Sequence, residues 1–201
     1  TMAKMFSAVK TMEKPVVIFF LGGKAADVEA SGAYCAKTLE EAAAMAVSLL
    51  HGEKVDTGDY AAAVCEELRP LAEREAARIG GGQKYLRGLF CGGTHSEELL
   101  QDMISDLYSN INFGHVTMMQ NRHVSTKNCL VDMGDEEFTV GRPHPVMDPS
   151  ILNERLVQEG SDPETAVLLF DLLLGYGVHE DPAGTIADSL REIRAKSEAE
   201  N

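Results

Sequence analysis

Apolar runs that each end in a glycine- or proline-rich connection, followed by an amphipathic helix, constrain this chain more than any other feature. YLRGLF (85–90) leads into CGGTHSEELLQDMISDLY (91–108). NCLVDMG (128–134) leads, through a long connection, into DPSILNERLVQEG (148–160). AVLLFDLLLG (166–175) leads into DPAGTIADSLREIRAKSEAE (181–200). Strands alternating with helices imply βαβ units, right-handed crossovers and a parallel sheet covered on both faces. The run at 166–175 is too apolar on both sides for a solvated edge, which predicts a place inside the sheet. Helix starts are written in the usual way: Thr94 with Glu97 as a capping box, Asp148 as a cap with Pro149 at the first position, and Asp181 before Pro182.

The first part of the chain repeats this pattern less fully. AKMFSAVKTM (3–12) suits a short amphipathic helix. KPVVIFFLGG (14–23) reads as a buried strand, AYCA (33–36) as a short one, and TLEEAAAMAVSLLHG (38–52) as a helix capped by Thr38 and Glu41 and ended by Gly52. Residues 59–79 are helical in composition, with Pro70 predicting a kink or break. GGGQ (80–83) then marks a boundary.

Ligands of parallel α/β sheets bind beyond the carboxyl ends of the strands, at helix amino termini. Three loops qualify. Gly92, Gly93 and Thr94 after the strand at 85–90 form a plausible cradle for phosphate or carboxylate, or a plain tight turn; His95 beside them reads as a solvated first-turn residue. The stretch DMGDEEFTVGRPHPVMDPS (132–150) sets His144 between two prolines. It carries Arg142, a planar fork suited to carboxylates and phosphates, and ends on Asp148 and Ser150 at a helix start. Proline stiffening lowers the entropy cost of holding Arg142 and His144 over that helix terminus. The alternative is a structural clamp, Arg142 pairing with Asp135 or Glu136. The third loop, GYGVHEDPAG (175–184), offers Gly175 and Gly177 for close approach, with His179 near, or is an ordinary turn. No residue presents itself as a catalyst. His115 and His123 lack a third ligand, so no metal is expected, and no nucleophile elbow is present.

A net charge of −14 argues against nucleic-acid or anionic-membrane partners, and 44% apolar with 25% charged residues is ordinary for a globular chain. The four cysteines have no close pair and read as reduced thiols of a cytoplasmic protein. Among them Cys91, at a strand end beside a helix amino terminus, is expected to be the most reactive, though structural in role.

LVDMGDEEFTVGRPHPVMDPS (130–150) together with DPETAVLLFDLLLGYGVHEDPAG (162–184) closely resembles the FdrA family, itself similar to succinyl-CoA synthetases and ADP-forming acyl-CoA synthetases. YLRGLFCGGTHSEE and the segment from KPVVIFFLGG to KTLEEAA fit as well, so the resemblance covers nearly the whole chain. It implies flavodoxin-like, three-layer CoA-ligase domains whose helix amino termini handle an acyl phosphate. It further implies a component of oxamate carbamoyltransferase in purine and allantoin catabolism, acting on acyl or carbamoyl phosphate. Assembly as a homo-oligomer or with neighbouring gene products follows from the same likeness. A different class is a non-catalytic anion-binding scaffold subunit. The synthetases carry a phosphorylated histidine after the strand matching VVIFF. GGKAADVEASGAYCA (22–36) has none, so no phosphohistidine relay is expected here. No cofactor is expected in this chain; CoA or a nucleotide belongs to the full-length protein.

By this likeness residues 1–55 are the second half of one CoA-ligase domain, 56–84 a helical linker, and 85–201 the first part of the next, an internal piece of a protein more than twice as long. Residues 15–20 are then expected to join the sheet beside 166–174, completing one domain from two halves.

Overall fold

The computed structural model describes residues 2–55, 60–102, 106–113 and 115–199. The chain divides into two compact units, Thr1–Ala77 and Arg78–Asn201. The first contains α1 (Met2–Val9), β1 (Val17–Phe19), α2 (Ala25–Glu29), β2 (Tyr34–Ala36), α3 (Leu39–Leu50) and α4 (Tyr60–Ala76). Val9, Val28 and Ala33 are its buried centre, with Phe6, Val16 and Ile18 packed around them. The capping box of α3 forms: Thr38 Oγ1 accepts from the Glu41 amide at 3.0 Å, and the Glu41 carboxylate reaches back to the Lys37 amide. Gly52, at φ 70°, ends that helix. Helix α4 runs through Pro70 without a break; Asp59, where the sequence places its start, lies outside the described residues.

The second unit contains β3 (Tyr85–Phe90), α5 (Gly93–Asp102), β4 (Leu107–Ser109), β5 (Thr117–Met118), β6 (Asn128–Asp132), α6 (Glu136–Thr139), α7 (Ser150–Gly160), β7 (Thr165–Phe170) and α8 (Pro182–Ala199). Its sheet has the order β5-β4-β6-β3-β7, every neighbouring pair parallel. Alternation along β3 and β6 divides the core. Leu89, Cys129 and Val131 pack with Leu152, Leu156 and Ile186 of α7 and α8. Phe90 and Leu130 turn the other way, onto Leu100 of α5 and Leu107. The result is the expected three-layer, flavodoxin-like α/β architecture.

Three expectations are corrected. Strand β1 pairs with β2 in a two-stranded sheet of its own, not beside residues 166–174. Val17 meets Tyr34 across a short loop. Reaching β7 would close a loop roughly nine times longer, at about 2 kcal/mol more entropy. Strand β7 is shorter than predicted and lies at the sheet edge. Its apolarity reflects cover on its two faces rather than a central place: Leu168 and Phe170 pack on the α7 and α8 side, Leu169 on the α5 side. Val167 stays 44% exposed. Finally, the sheet gains β4, where the sequence reads as helix through Tyr108, and β5, in a stretch for which the sequence gives no element. Helix α5 ends at Asp102, and Leu107–Ser109 is extended.

Beneath α7 lies a buried ionic cluster. Arg87 of β3 is 3% exposed; its Nε stands 3.2 Å from Glu159 Oε2 and its NH2 donates to Asp162 Oδ2 at 2.9 Å. Arg155 Nε donates to Glu159 Oε1 at 2.5 Å, its NH1 to the Arg122 carbonyl at 3.0 Å, and its NH2 to Ser125 Oγ at 2.8 Å. Glu159 thus neutralises two buried cations at once. Glu159→Ala is expected to cost about 3–5 kcal/mol of stability in the second unit, because both guanidinium groups would remain buried without their shared partner. Urea unfolding should show this as a lower midpoint for the second unit with the first unchanged.

Candidate functional site

The parallel register sets two acids on either side of β3. Phe90 lies opposite Asp132 on β6, and Leu89 opposite Phe170 on β7, so Asp171 follows directly at the same level. Strand β3 then gives way to Cys91 and Gly92, and α5 begins at Gly93. Asp171 accepts from the Cys91 amide at 2.9 Å with one carboxylate oxygen and from the Gly92 amide at 2.8 Å with the other. Its side chain is 8% exposed, and His95 Nδ1 stands 3.9 Å away. A Cβ at Gly92 would sit 3.1 Å from Asp171 Oδ2 and 3.2 Å from His95 Nδ1, so a side chain there would press on both groups.

Asp132 is fixed by its backbone. Its amide donates to Asn110 Oδ1 at 2.8 Å and its carbonyl accepts from Asn110 Nδ2 at 2.9 Å. Its Oδ1 accepts from the Gly134 amide at 2.8 Å. Burial raises the Asp132 carboxyl above its ordinary value; the Gly134 amide opposes this, Asp135 and Asp171 add to it, and His144 works against it. The Cys91 thiol is pushed up to about 12, first by burial and then by Asp171 and Asp132.

The proline-rich stretch delivers His144 to this place. Asp135 caps α6, accepting from the Glu137 amide at 3.0 Å. Pro145 is fully buried, and the Val146 amide donates to His144 Nδ1 at 3.3 Å, which leaves Nε2 as the protonated nitrogen of the neutral ring. A Cβ at Gly134 would lie 2.7 Å from His144 Nε2 and 3.1 Å from both Asp132 Oδ1 and the Cys91 carbonyl. Gly134 therefore lets the imidazole settle beside the acid. The clamp alternative is not adopted: Asp135 pairs with Arg122 at 3.0 Å, and Arg122 also reaches Glu137 at 3.0 Å. Arg142 is exposed and lies apart from His144, along a groove with His123, Phe138, Ile151, Glu154 and Gln158.

Of the remaining predicted residues, Gly92 gives its amide to Asp171, Gly93 opens α5, and Thr94 is exposed on its first turn. Thr94 is not the cap; the Ser96 amide and hydroxyl both donate to the Gly92 carbonyl. Asp148 Oδ1 accepts from the Ser150 amide at 3.1 Å at the start of α7; the Ser150 side chain first and its amide second lower the Asp148 carboxyl, with His179 and Arg142 adding to the effect. Gly175 and Gly177 take φ of 147° and 75° around a fully exposed Tyr176. Beyond them the His179 amide donates to the Val146 carbonyl at 2.7 Å, joining the two loops. Cys91, Pro149, Leu152, Asp171, His179 and Pro182 line a small, mainly apolar pocket between the starts of α7 and α8. The structure thus gathers Gly92, Gly93, His144 and the start of α7 at one edge, and leaves Arg142, Thr94, Gly175 and Gly177 outward.

Sequence reasoning missed Asp132, Asp171, Gly134 and Asn110. A signal for the two acids was present: each is a carboxylate following an otherwise apolar strand (CLVD, LLFD), where burial is costly unless the group is used. Among the described residues no three His, Cys, Asp or Glu side chains are placed to share a metal ion, and no helix is long and apolar enough to cross a membrane.

A parallel sheet with helix amino termini, histidines and carboxylates gathered at its carboxyl edge has the polar groups at the place where open α/β sheets bind their ligands. Residues 89–199 match the CoA-ligase family model, and the chain belongs to that family. It is also 37% identical over 200 residues to the uncharacterized protein YahF of Escherichia coli strain K12, a match covering 98% of this chain and 38% of the relative.

Two expectations follow from the site. Cys91 is buried whereas Cys65 is exposed, which reverses the expected order of reactivity. Alkylation at pH 8, read by peptide mass spectrometry, should modify Cys65 first and Cys91 last. Asp132→Asn should raise the melting temperature at pH 7. A carboxyl whose folded pKa is raised binds its proton more tightly when folded, so stability falls as pH rises from the ordinary aspartate value through the raised one. The gain in the variant should therefore shrink as the pH is lowered through that window.

Proposed function

We propose that the carboxyl edge of the five-stranded sheet handles an acyl or carbamoyl phosphate, within an FdrA-type protein related to the acyl-CoA synthetases. The observation that carries this reading is the pair of Cys91 and Gly92 amides at the start of α5, which hold the Asp171 carboxylate. A phosphoryl or carboxyl group of substrate would take the same donors, with the amino end of α5 favouring its charge. The backbone at Gly93, and Asp148 and Ser150 at the start of α7, complete the edge.

His144 is the residue that meets the reacting group. Its Nδ1 is held by the Val146 amide, so its Nε2–H faces Gly134 beside Asp132 as a donor. When the bond between the acyl or carbamoyl carbon and the phosphate oxygen breaks, phosphate leaves with that bonding pair and takes up the proton released by the incoming nucleophile. The Nε2–H would donate a hydrogen bond to the charge that develops on the departing oxygen. For a carbamoyl acceptor the family resemblance points to oxamate.

The chain spans 38% of the length of the YahF relative, so the assay uses the chain together with its neighbouring gene products. Carbamoyl transfer between phosphate and oxamate is measured, with CoA and nucleotides as further arms. Loss of the Nε2 donor in His144→Ala should reduce turnover by about 10²–10³-fold while the chain stays folded, and turnover in His144→Asn should fall by the same amount. A second reading, a non-catalytic anion-binding scaffold, is favoured by one feature: the segment from β1 to β2 carries no histidine for a phosphoryl relay. In that case His144→Asn would leave turnover by the assembly unchanged.

A further inference from the structure

We propose that Asp171 is a tethered anion that occupies the cradle, so that a substrate phosphate gains the site by displacing it. The inference rests on the reading that an acyl or carbamoyl phosphate seats at Cys91 and Gly92.

Asp171 behaves as a bound ligand would. Each carboxylate oxygen takes one amide of the loop, at 2.9 and 2.8 Å, from residues about eighty positions away in sequence. The side chain is 8% exposed, so its charge has little water around it, and these two amides supply its hydrogen bonds. His95 Nδ1, at 3.9 Å, is beyond hydrogen-bond reach. The space in front of Gly92 is filled by the carboxylate itself, since a Cβ would meet Asp171 Oδ2 at 3.1 Å.

Coexistence with a phosphate is excluded by charge and by donors. Both amides are already used. On the other side Asp132 Oδ2 lies 3.4 Å from where a Cβ of Gly93 would be, so an incoming dianion would face a carboxylate from each flank. Exchange is open sterically, because Asp171 is the first residue after β7 and leads into an outward loop. The cost of moving it is a reduction in apparent affinity by the fraction of molecules in which the cradle is free. Asp171 would then set a threshold: a weak anion loses the competition, and a ligand that engages the rest of the edge wins it.

The test is a titration of the chain with inorganic phosphate and, separately, carbamoyl phosphate, followed at the Cys91 and Gly92 amides by NMR, for wild type and Asp171→Asn. The variant keeps the shape and removes the charge. Binding tighter by about tenfold or more in Asp171→Asn is the expected result. In wild type at saturating ligand, the Asp171 side-chain carboxyl resonance should move to that of a solvated carboxylate; this arm decides the matter if the variant does not fold. Equal affinity in both proteins, or ligand at the amides with the Asp171 resonance unmoved, overturns the proposal and leaves the phosphate site standing. No shift at either amide in any form overturns both. Tighter phosphate binding by the variant without carbamoyl transfer by the assembly would uphold the tether and sink the proposed reaction.

Discussion

Arg87 carries a full charge into the interior of the sheet, and the rest of the second unit is arranged around how that charge is met. Glu159, near the carboxyl end of α7, answers it and answers Arg155 as well. Burying such groups is expensive, and their attraction offsets the cost only when the geometry is close and the remaining donors are satisfied. Here two Arg87 donors, Nε and NH1, have no hydrogen-bond partner, though Nε stands 3.2 Å from Glu159 Oε2 and the Tyr85 ring lies 5.2 Å from the guanidinium carbon. Fixing one end of an eleven-residue helix fixes the other. The amino end of α7 stands about 14 Å along its axis from Glu159, at the carboxyl edge where Asp148 and Ser150 lie. The ionic cluster at one end of the strands thereby positions the polar loops at the other.

The two ends handle buried charge by different means. Under α7, side chains of opposite sign neutralise one another. At the carboxyl edge backbone amides do the work: Asp171 takes two of them and Asp132 takes one. Burial raises both the Asp132 carboxyl and the Cys91 thiol, and because amides carry no net charge the neighbouring carboxylates at this edge add to that effect. The stiff proline-flanked segment answers to the same circumstance. It brings an imidazole, a group able to accept a proton, against a carboxyl that burial has made reluctant to ionise.

Much of this was legible in the sequence. The cores of β3 and β6 follow from apolar runs bounded by turn residues. The start of α3 follows from Thr38 and Glu41, and that of α8 from Asp181, whose carboxylate accepts the Gly184 amide at 2.8 Å. What escaped depends on partners remote in sequence. Strands β4 and β5 have three and two residues, too few to show a period, and β4 exists because Leu107 and Ser109 pair with β6. Strand β7 was misplaced because covered faces and a central position leave the same apolar signature. The acids at 132 and 171 were overlooked because their meaning lies in amides contributed by other loops. In the proline-rich stretch the two marked residues part company: Pro145 is buried and turns His144 inward, while Arg142 stays in solvent.

The raised thiol at the centre of the edge bears on how the protein withstands oxidants. With its pKa near 12, Cys91 is present as thiolate in only about one molecule in 10⁵ at neutral pH. Peroxide attacks the thiolate, so the first rung of cysteine oxidation is disfavoured at this position even though the residue lies at the carboxyl edge of the sheet. The carboxylates that surround the thiol thus shield it chemically as well as sterically, and oxidative damage is steered toward exposed sulfur elsewhere, such as Cys65, Met12 and Met147.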